Sequence, residues 1–220
     1  MDSKQESLTA VDLAARQQAR EPIAFERAER KMAKVRPAIV EAAGLFRSAS
    51  RASRPTKRIK LVLEAASAWA APIAKVSACR RGCAHCCYIP VVITSAEARL
   101  LASHTGRPLR QVDGVRVNTL TTTEGEARAN MMAEGAEFVG KPCPFLRGGE
   151  CSVYDIRPLA CRTHFNLDDD ALLCERVEGH PASVPYVDTR EVWAASLTLQ
   201  PQEVLADIRS FFGDDEEVES

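Results

Sequence analysis

Aromatic side chains are scarce in this chain: two Trp, three Tyr and seven Phe among 220 residues. With alanine abundant in the first third, that scarcity favours helices over a β-sandwich or barrel. Charge of one sign is missing too, since 29 Lys and Arg face 30 Asp and Glu for a net charge of -1. The balance argues against a protein dedicated to nucleic acid. No apolar run approaches the length needed to span a bilayer. The opening MDSKQESLTA is polar and lacks an apolar h-region, so no secretory signal is read and a cytoplasmic setting is expected. There is no G-x-S-x-G elbow, no phosphate-binding P-loop and no G-x-G-x-x-G.

Cysteine, by contrast, is plentiful. Four of eight fall within nine residues, Cys79-Arg80-Arg81-Gly82-Cys83-Ala84-His85-Cys86-Cys87, spaced C-x3-C-x2-C-C. Cys143, Cys151, Cys161 and Cys174 follow after a long gap. In a reducing compartment such thiols bind metal or do redox work more often than they form disulfides. Local spacing lowers the entropy of gathering ligands, and Gly82 supplies the backbone freedom a wrap demands. The pattern reads as a metal site rather than as small buried hydrophobes.

Along the chain, residues 1–21 read as a polar tail running into a first helix. Residues 23–50 are helix-prone, with Pro37 as a break and an Arg/Lys-rich face expected to be solvated. From Thr56, read as an N-cap, a helix carrying Ile59, Leu63, Ala66 and Trp69 delivers the chain to Cys79; Pro72 bends its last turns and Trp69 packs in the core. Residues 88–93 look strand-like. Thr94-Ser95-Ala96-Glu97 is a capping box for a helix closed by Gly106, with His104 in its last turn. Val115 and Val117 suggest a short strand, and residues 122–138 a weak helix in which Met131 and Met132 fill core gaps. Residues 141–154 form a hairpin about Gly148-Gly149. Asp155 caps a short turn, Pro158 sits near its start, and Cys174 lies in an acid-led turn whose Asp168-Asp169-Asp170 are read as cap acids. Residues 201–212 read as a helix before the acidic tail.

Thiolates select zinc, copper(I) or iron–sulfur clusters over hard cations. Eight cysteines would fill two four-thiolate sites, or one cluster with spare thiols. Arg80, Arg81 and Arg162, each beside a cysteine, are placed to offset the negative charge. Adjacent Cys86 and Cys87 are hard to aim at one ion from a regular strand. Only Cys83/Cys86 makes a zinc-type C-x2-C knuckle, whereas the triplet and Cys143-Pro144 suit iron–sulfur, which is preferred. His85 and His164 are substitute ligands should the metal be zinc. The triplet also matches that of radical S-adenosylmethionine enzymes, but their βα barrel takes ~250 residues and no recurrent βα units follow Cys87.

CRRGCAHCC, a short strand and TSAEARLLA, then PCPFL…GGECSVYDIRPLACR, together resemble the YkgJ-like cysteine-cluster family of zinc- or iron-chelating proteins, over about residues 76–165. That family is related to flagellin lysine N-methylases. The resemblance implies Cys79, Cys83, Cys86, Cys87, Cys143, Cys151 and Cys161 as the family's cysteines, with Tyr154, Arg157, Pro158 and Arg162 in support. Cys174 falls outside it.

The expectation is therefore a predominantly helical α+β fold, its helices set around a small cysteine-lined metal core with a minor β-hairpin. Residues 1–55 would form a helical extension, 56–212 the metal-binding domain and 213–220 an acidic tail. The leading function is binding of an iron–sulfur cluster or zinc. The alternatives are a cluster-dependent methyltransferase using S-adenosylmethionine on protein lysine, and a thiol redox sensor built on Cys86-Cys87. A protein substrate is possible; membrane and nucleic-acid partners are not expected.

Overall fold

The computed structural model describes residues 9–120 and 135–213. It is a helical α+β fold, as expected, and the differences lie in where elements start and what they pair with. Helix α1 spans Ala10–Lys34, earlier than the polar composition suggests. Thr9 and Asp12 form a reciprocal capping box, in which the Asp12 N–H donates to Thr9 Oγ1 and the Thr9 N–H to the Asp12 carboxylate. The chain breaks around Pro37, and α2 (Ile39–Ser50) turns into α3 (Pro55–Ala74). The N-cap of α3 is Arg54 rather than Thr56, because Pro55 occupies the first helical position, where its missing N–H costs nothing.

The basic face of α1 is not simply solvated. Arg20, Arg27 and Lys31 lie on one side of the helix and reach the acidic run: Arg20 to Asp168 and Asp170 at 2.8 Å each, Arg27 to Asp168 at 3.2 Å, Lys31 to Asp169 at 2.9 Å. Asp168 is fully buried, so these acids serve as the counterpart of α1 and not as mere cap residues.

A first core joins α2 and α3 to the segment after the hairpin: Ile59, Val62, Leu63, Trp69 and Ile73 bury against Leu159, Phe165, Val187 and Val192. A second gathers around a three-stranded antiparallel sheet, from Val91, Ile93, Leu101, Phe145, Ile208, Phe211 and Phe212. The sheet order is β1 (Val92–Thr94), β5 (Val204–Asp207), β2 (Val115–Arg116), with Val92 opposite Asp207 and Val115 opposite Leu205. Residues 204–207 are thus the central strand and not the helix that local propensity suggests. Partners on both edges outweigh a weak intrinsic preference. Asp207 then accepts the N–H of Arg209 and starts the short α6 (Ile208–Phe212).

Helix α4 (Ser95–Thr105) has the expected Thr94/Glu97 box and left-handed Gly106. Glu97 is buried, and its second oxygen accepts the Leu159 N–H at 2.8 Å, so one carboxylate secures α4 and the start of α5 (Leu159–Thr163). The hairpin forms as β3 (Leu146–Arg147) and β4 (Glu150–Cys151) about Gly148 and Gly149, both at positive φ. Asp155 sits inside a 3-10 turn, Tyr154–Ile156, and does not cap it. The helix expected over 122–138, with Met131 and Met132, lies mostly outside the described residues, as does most of the acidic tail. Among the described residues no helix is long and apolar enough to cross a membrane.

Candidate metal centre

The cysteines sit at the seam between the two cores. Cys79 follows the end of α3 and packs on the first core, while Cys143, Cys151 and Cys161 pack on the second. Between Cys79 and Cys83 the chain makes a tight turn, in which the Cys83 N–H donates to Arg80 O and Gly82 adopts φ 87°. Cys86 and Cys87 lie in a 3-10 turn, His85–Tyr88, which takes in the first residue of the strand expected over 88–93; the strand itself begins at Val92. The turn removes the difficulty of neighbouring side chains alternating across a strand.

Backbone bonds fasten the two cysteine blocks together. The Cys143 N–H donates to Cys87 O at 2.7 Å, and the Gly140 N–H to Tyr88 O at 2.7 Å. Arg209, buried and paired with Asp207 at 3.0 Å, donates to Cys87 O at 2.9 Å, Lys141 O at 2.8 Å and Pro142 O at 3.2 Å. Sequence reasoning missed this residue.

Cys79, Cys83, Cys86, Cys87, Cys143, Cys151 and Cys161 all line one cavity of about 80 Å³. That exceeds the ~10–15 Å³ one water needs. Val91, Phe145, Val153 and Ile208 give it an apolar floor, and Tyr154, Arg157 and His164 complete the wall. His85 does not border it. Cys174 is absent from the lining but stands close by, where the Asn166 amide donates to its sulfur at 3.4 Å.

Burial pushes most of these thiols up: Cys79 and Cys151 above the ordinary value, Cys143 to about 11, Cys161 well above. Cys174 is raised to about 12 by burial and by Cys79 and Cys83 beside it. Cys86 and Cys87 share a hydrogen bond that holds the first down and the second up. The positive charge that eases Cys79, Cys86, Cys151 and Cys161 is Arg157, whose guanidinium lies 4.1 Å over the Tyr154 ring. Arg162 feels the charge of Cys161 and also donates to Arg157 O, Asp155 O and Ser67 Oγ. Arg81 is exposed near Asp155, and Arg80 borders the cavity.

Among the described residues, no group of three or more His, Cys, Asp or Glu is arranged to hold a metal ion. The thiols ring a space rather than meet at a point. The donor chemistry nonetheless fits a thiophilic group: seven sulfurs face one apolar space, and the buried Nε2 of His164 has no hydrogen-bond partner. Burial holds His164 down at about 4, so its imidazole is neutral at pH 7 and offers a lone pair.

Residues 78–178 match the family model CxxCxxCC, described as "putative zinc- or iron-chelating domain". The match takes in Cys174, which the resemblance read from sequence did not reach. No curated protein and no solved structure was found to match.

Proposed function

We propose, from the premise that residues 78–178 are a member of this zinc- or iron-chelating family, that the chain is a metal-binding protein whose resident group is an iron–sulfur cluster. The observation that carries the reading is the convergence of thiols from both cysteine blocks on one cavity. A cavity of about 80 Å³ has room for more than a single ion, and that favours a cluster over one zinc. Cys86, Cys87, Cys143, Cys151 and Cys161 are the candidate ligands at its centre. Cys161 feels the charges of Cys86, Cys143 and Cys151, and all four line the cavity. When bound, such a cluster supplies an electron-accepting inorganic centre held by thiolates. The protein's own part is to exclude water with the apolar floor, offset thiolate charge with Arg157 and keep the blocks in register through Arg209. Thiols held protonated by burial must lose their protons on loading, so metal uptake strengthens as pH rises.

Anaerobic purification with elemental analysis and a visible spectrum tests this. Iron, sulfide and a charge-transfer absorption are expected. Colourless protein with stoichiometric zinc would reverse the preference for iron, and protein that takes up neither metal would end the reading.

A further inference from the structure

A second cavity, of about 470 Å³, lies away from the thiols, between the first turns of α1 and the loop at 179–182. It shares no lining residue with the thiol cavity, and both its walls fall outside residues 78–178. One wall is a helix face: Val11, Ala14, Ala15 and Gln18 recur at the i, i+3, i+4, i+7 spacing that stacks side chains on one side of a helix. The short alanine side chains leave space that longer ones would fill. The facing loop is fixed near both ends. Gly179 adopts φ 75° and the His180 N–H donates to Val177 O at 3.1 Å, while the Ser183 N–H donates to Glu21 Oε1 at 2.8 Å, further along α1.

Gln17 carries the polar group in this cleft that lacks a partner. The residue is only 2% exposed. Its Nε2 donates to Leu172 O at 2.8 Å and to Glu175 O at 2.7 Å, which uses both amide hydrogens. Turning the amide over would set its oxygen against two carbonyl oxygens, so the orientation is fixed. Oε1 is thus a buried acceptor without a hydrogen-bond partner. Such groups are uncommon, and this one is satisfied only by a molecule that donates. No Asp, Glu, Lys or Arg lines the cleft, and an unpaired charge is costly to desolvate, so the occupant is neutral. Gln18, at the exposed rim, offers a second amide that both donates and accepts.

We propose that this cleft binds a neutral molecule carrying a carboxamide on an apolar body, its N–H donated to Gln17 Oε1 and its body laid against Ala14, Ala15 and Ala182. The carbonyl of the same carboxamide is left to pair with the Gln18 amide at the rim. The volume suits such a ligand, since small-molecule sites usually measure roughly 300–1,000 Å³. Carboxamides occur both in free small molecules and in the peptide bond, and probes of each kind separate the two sources. Because Gln17 also holds the carbonyls of Leu172 and Glu175, the bound molecule sits one side chain away from the turn Leu172–Cys174.

The full chain, as purified, is titrated calorimetrically with benzamide, methyl benzoate and N-acetylalanine N-methylamide. Benzamide is expected to bind about fivefold more tightly than methyl benzoate, which keeps the ring and carbonyl but has no N–H; that ratio corresponds to one net hydrogen bond. Tighter binding of the methylamide than of benzamide assigns the cleft to a peptide segment, and the reverse to a small amide. Ala15→Leu fills the cleft from a position where leucine is a good helix former, and abolishes binding of all three. Gln17→Met removes the acceptor and brings benzamide and methyl benzoate to equal affinity. Circular dichroism checks the fold; if Gln17→Met does not fold, Ala15→Leu and the amide–ester comparison in wild type decide. Absence of saturable heat from both benzamide and the methylamide would overturn the proposal. So would equal affinity for amide and ester in wild type, or undiminished binding to folded Ala15→Leu. Metal content does not enter the readout, so the metal centre stands or falls separately.

Discussion

Arg209 holds together parts of the chain that are far apart in sequence. Its donors go to Cys87 O, Lys141 O and Pro142 O, and its charge is matched by buried Asp207. Arg209→Gln leaves that carboxylate without its partner, a loss of about 3–5 kcal/mol for a buried pair. Urea unfolding should show it, together with weaker metal retention as Cys87 and Cys143 drift apart; unchanged stability would refute the clasp. Gly82→Ala tests the turn between the first two cysteines. An added Cβ would find only Glu150 Oε1, at 3.6 Å, so the cost is conformational, about 1–2 kcal/mol for a left-handed residue. A thermal midpoint unaffected by the change would contradict it. The cysteines were legible because spacing alone announces a chelator. Arg209 was not, since its partners are backbone carbonyls, and a carbonyl leaves no trace in residue identity. Cys174 lacked a nearby cysteine to give it away.

Between elements, the junction of α1 with the acidic run is electrostatic and titratable. The Asp169 carboxyl is held below its ordinary 3.8 by the hydrogen bond from Lys31, with Arg27 and Arg20 adding to it. A carboxylate whose folded value is depressed contributes stability above pH 3.8 that disappears as pH falls below it. Metal-free wild type should therefore be more resistant to urea than Asp169→Asn at pH 6, and the gap should close below pH 3.8; a constant gap would disprove the linkage. The gap is modest, because Asp169 is half exposed, and it shrinks with added salt. The α4 capping box and the glycine hairpin were readable from sequence because each is a local device. The central strand β5 was not. Its short run of Val204, Leu205 and Ala206 carries no β signal without knowledge of its two neighbours.

For the molecule as a whole, the cavity lies where two hydrophobic clusters meet, and the chain crosses that seam through the cysteines. A group bound there adds its binding free energy to the folded state. Chelation is expected to raise hydrogen exchange through residues 79–161 while α3, buried along Ile59, Val62, Leu63 and Ile73, stays protected. Exchange rising equally in both regions would argue against a locally stabilising centre. The helical class and the minor hairpin followed from composition and turn signals. How the layers meet did not, because the ion pairs of α1 with the acidic run, like the bonds of Gln17 to Leu172 O and Glu175 O, join residues far apart in sequence.

The middle strand of the sheet is made last: every cysteine leaves the ribosome before Val204 does. At ~5–20 residues per second, the sulfur-bearing loops wait on the order of seconds for β5 to slot between β1 and β2 and for Arg209 to arrive behind it. During that interval Cys87 and the stretch before Cys143 lack the guanidinium that later fixes them, so the two cysteine blocks come into register only when the last strand and its arginine arrive.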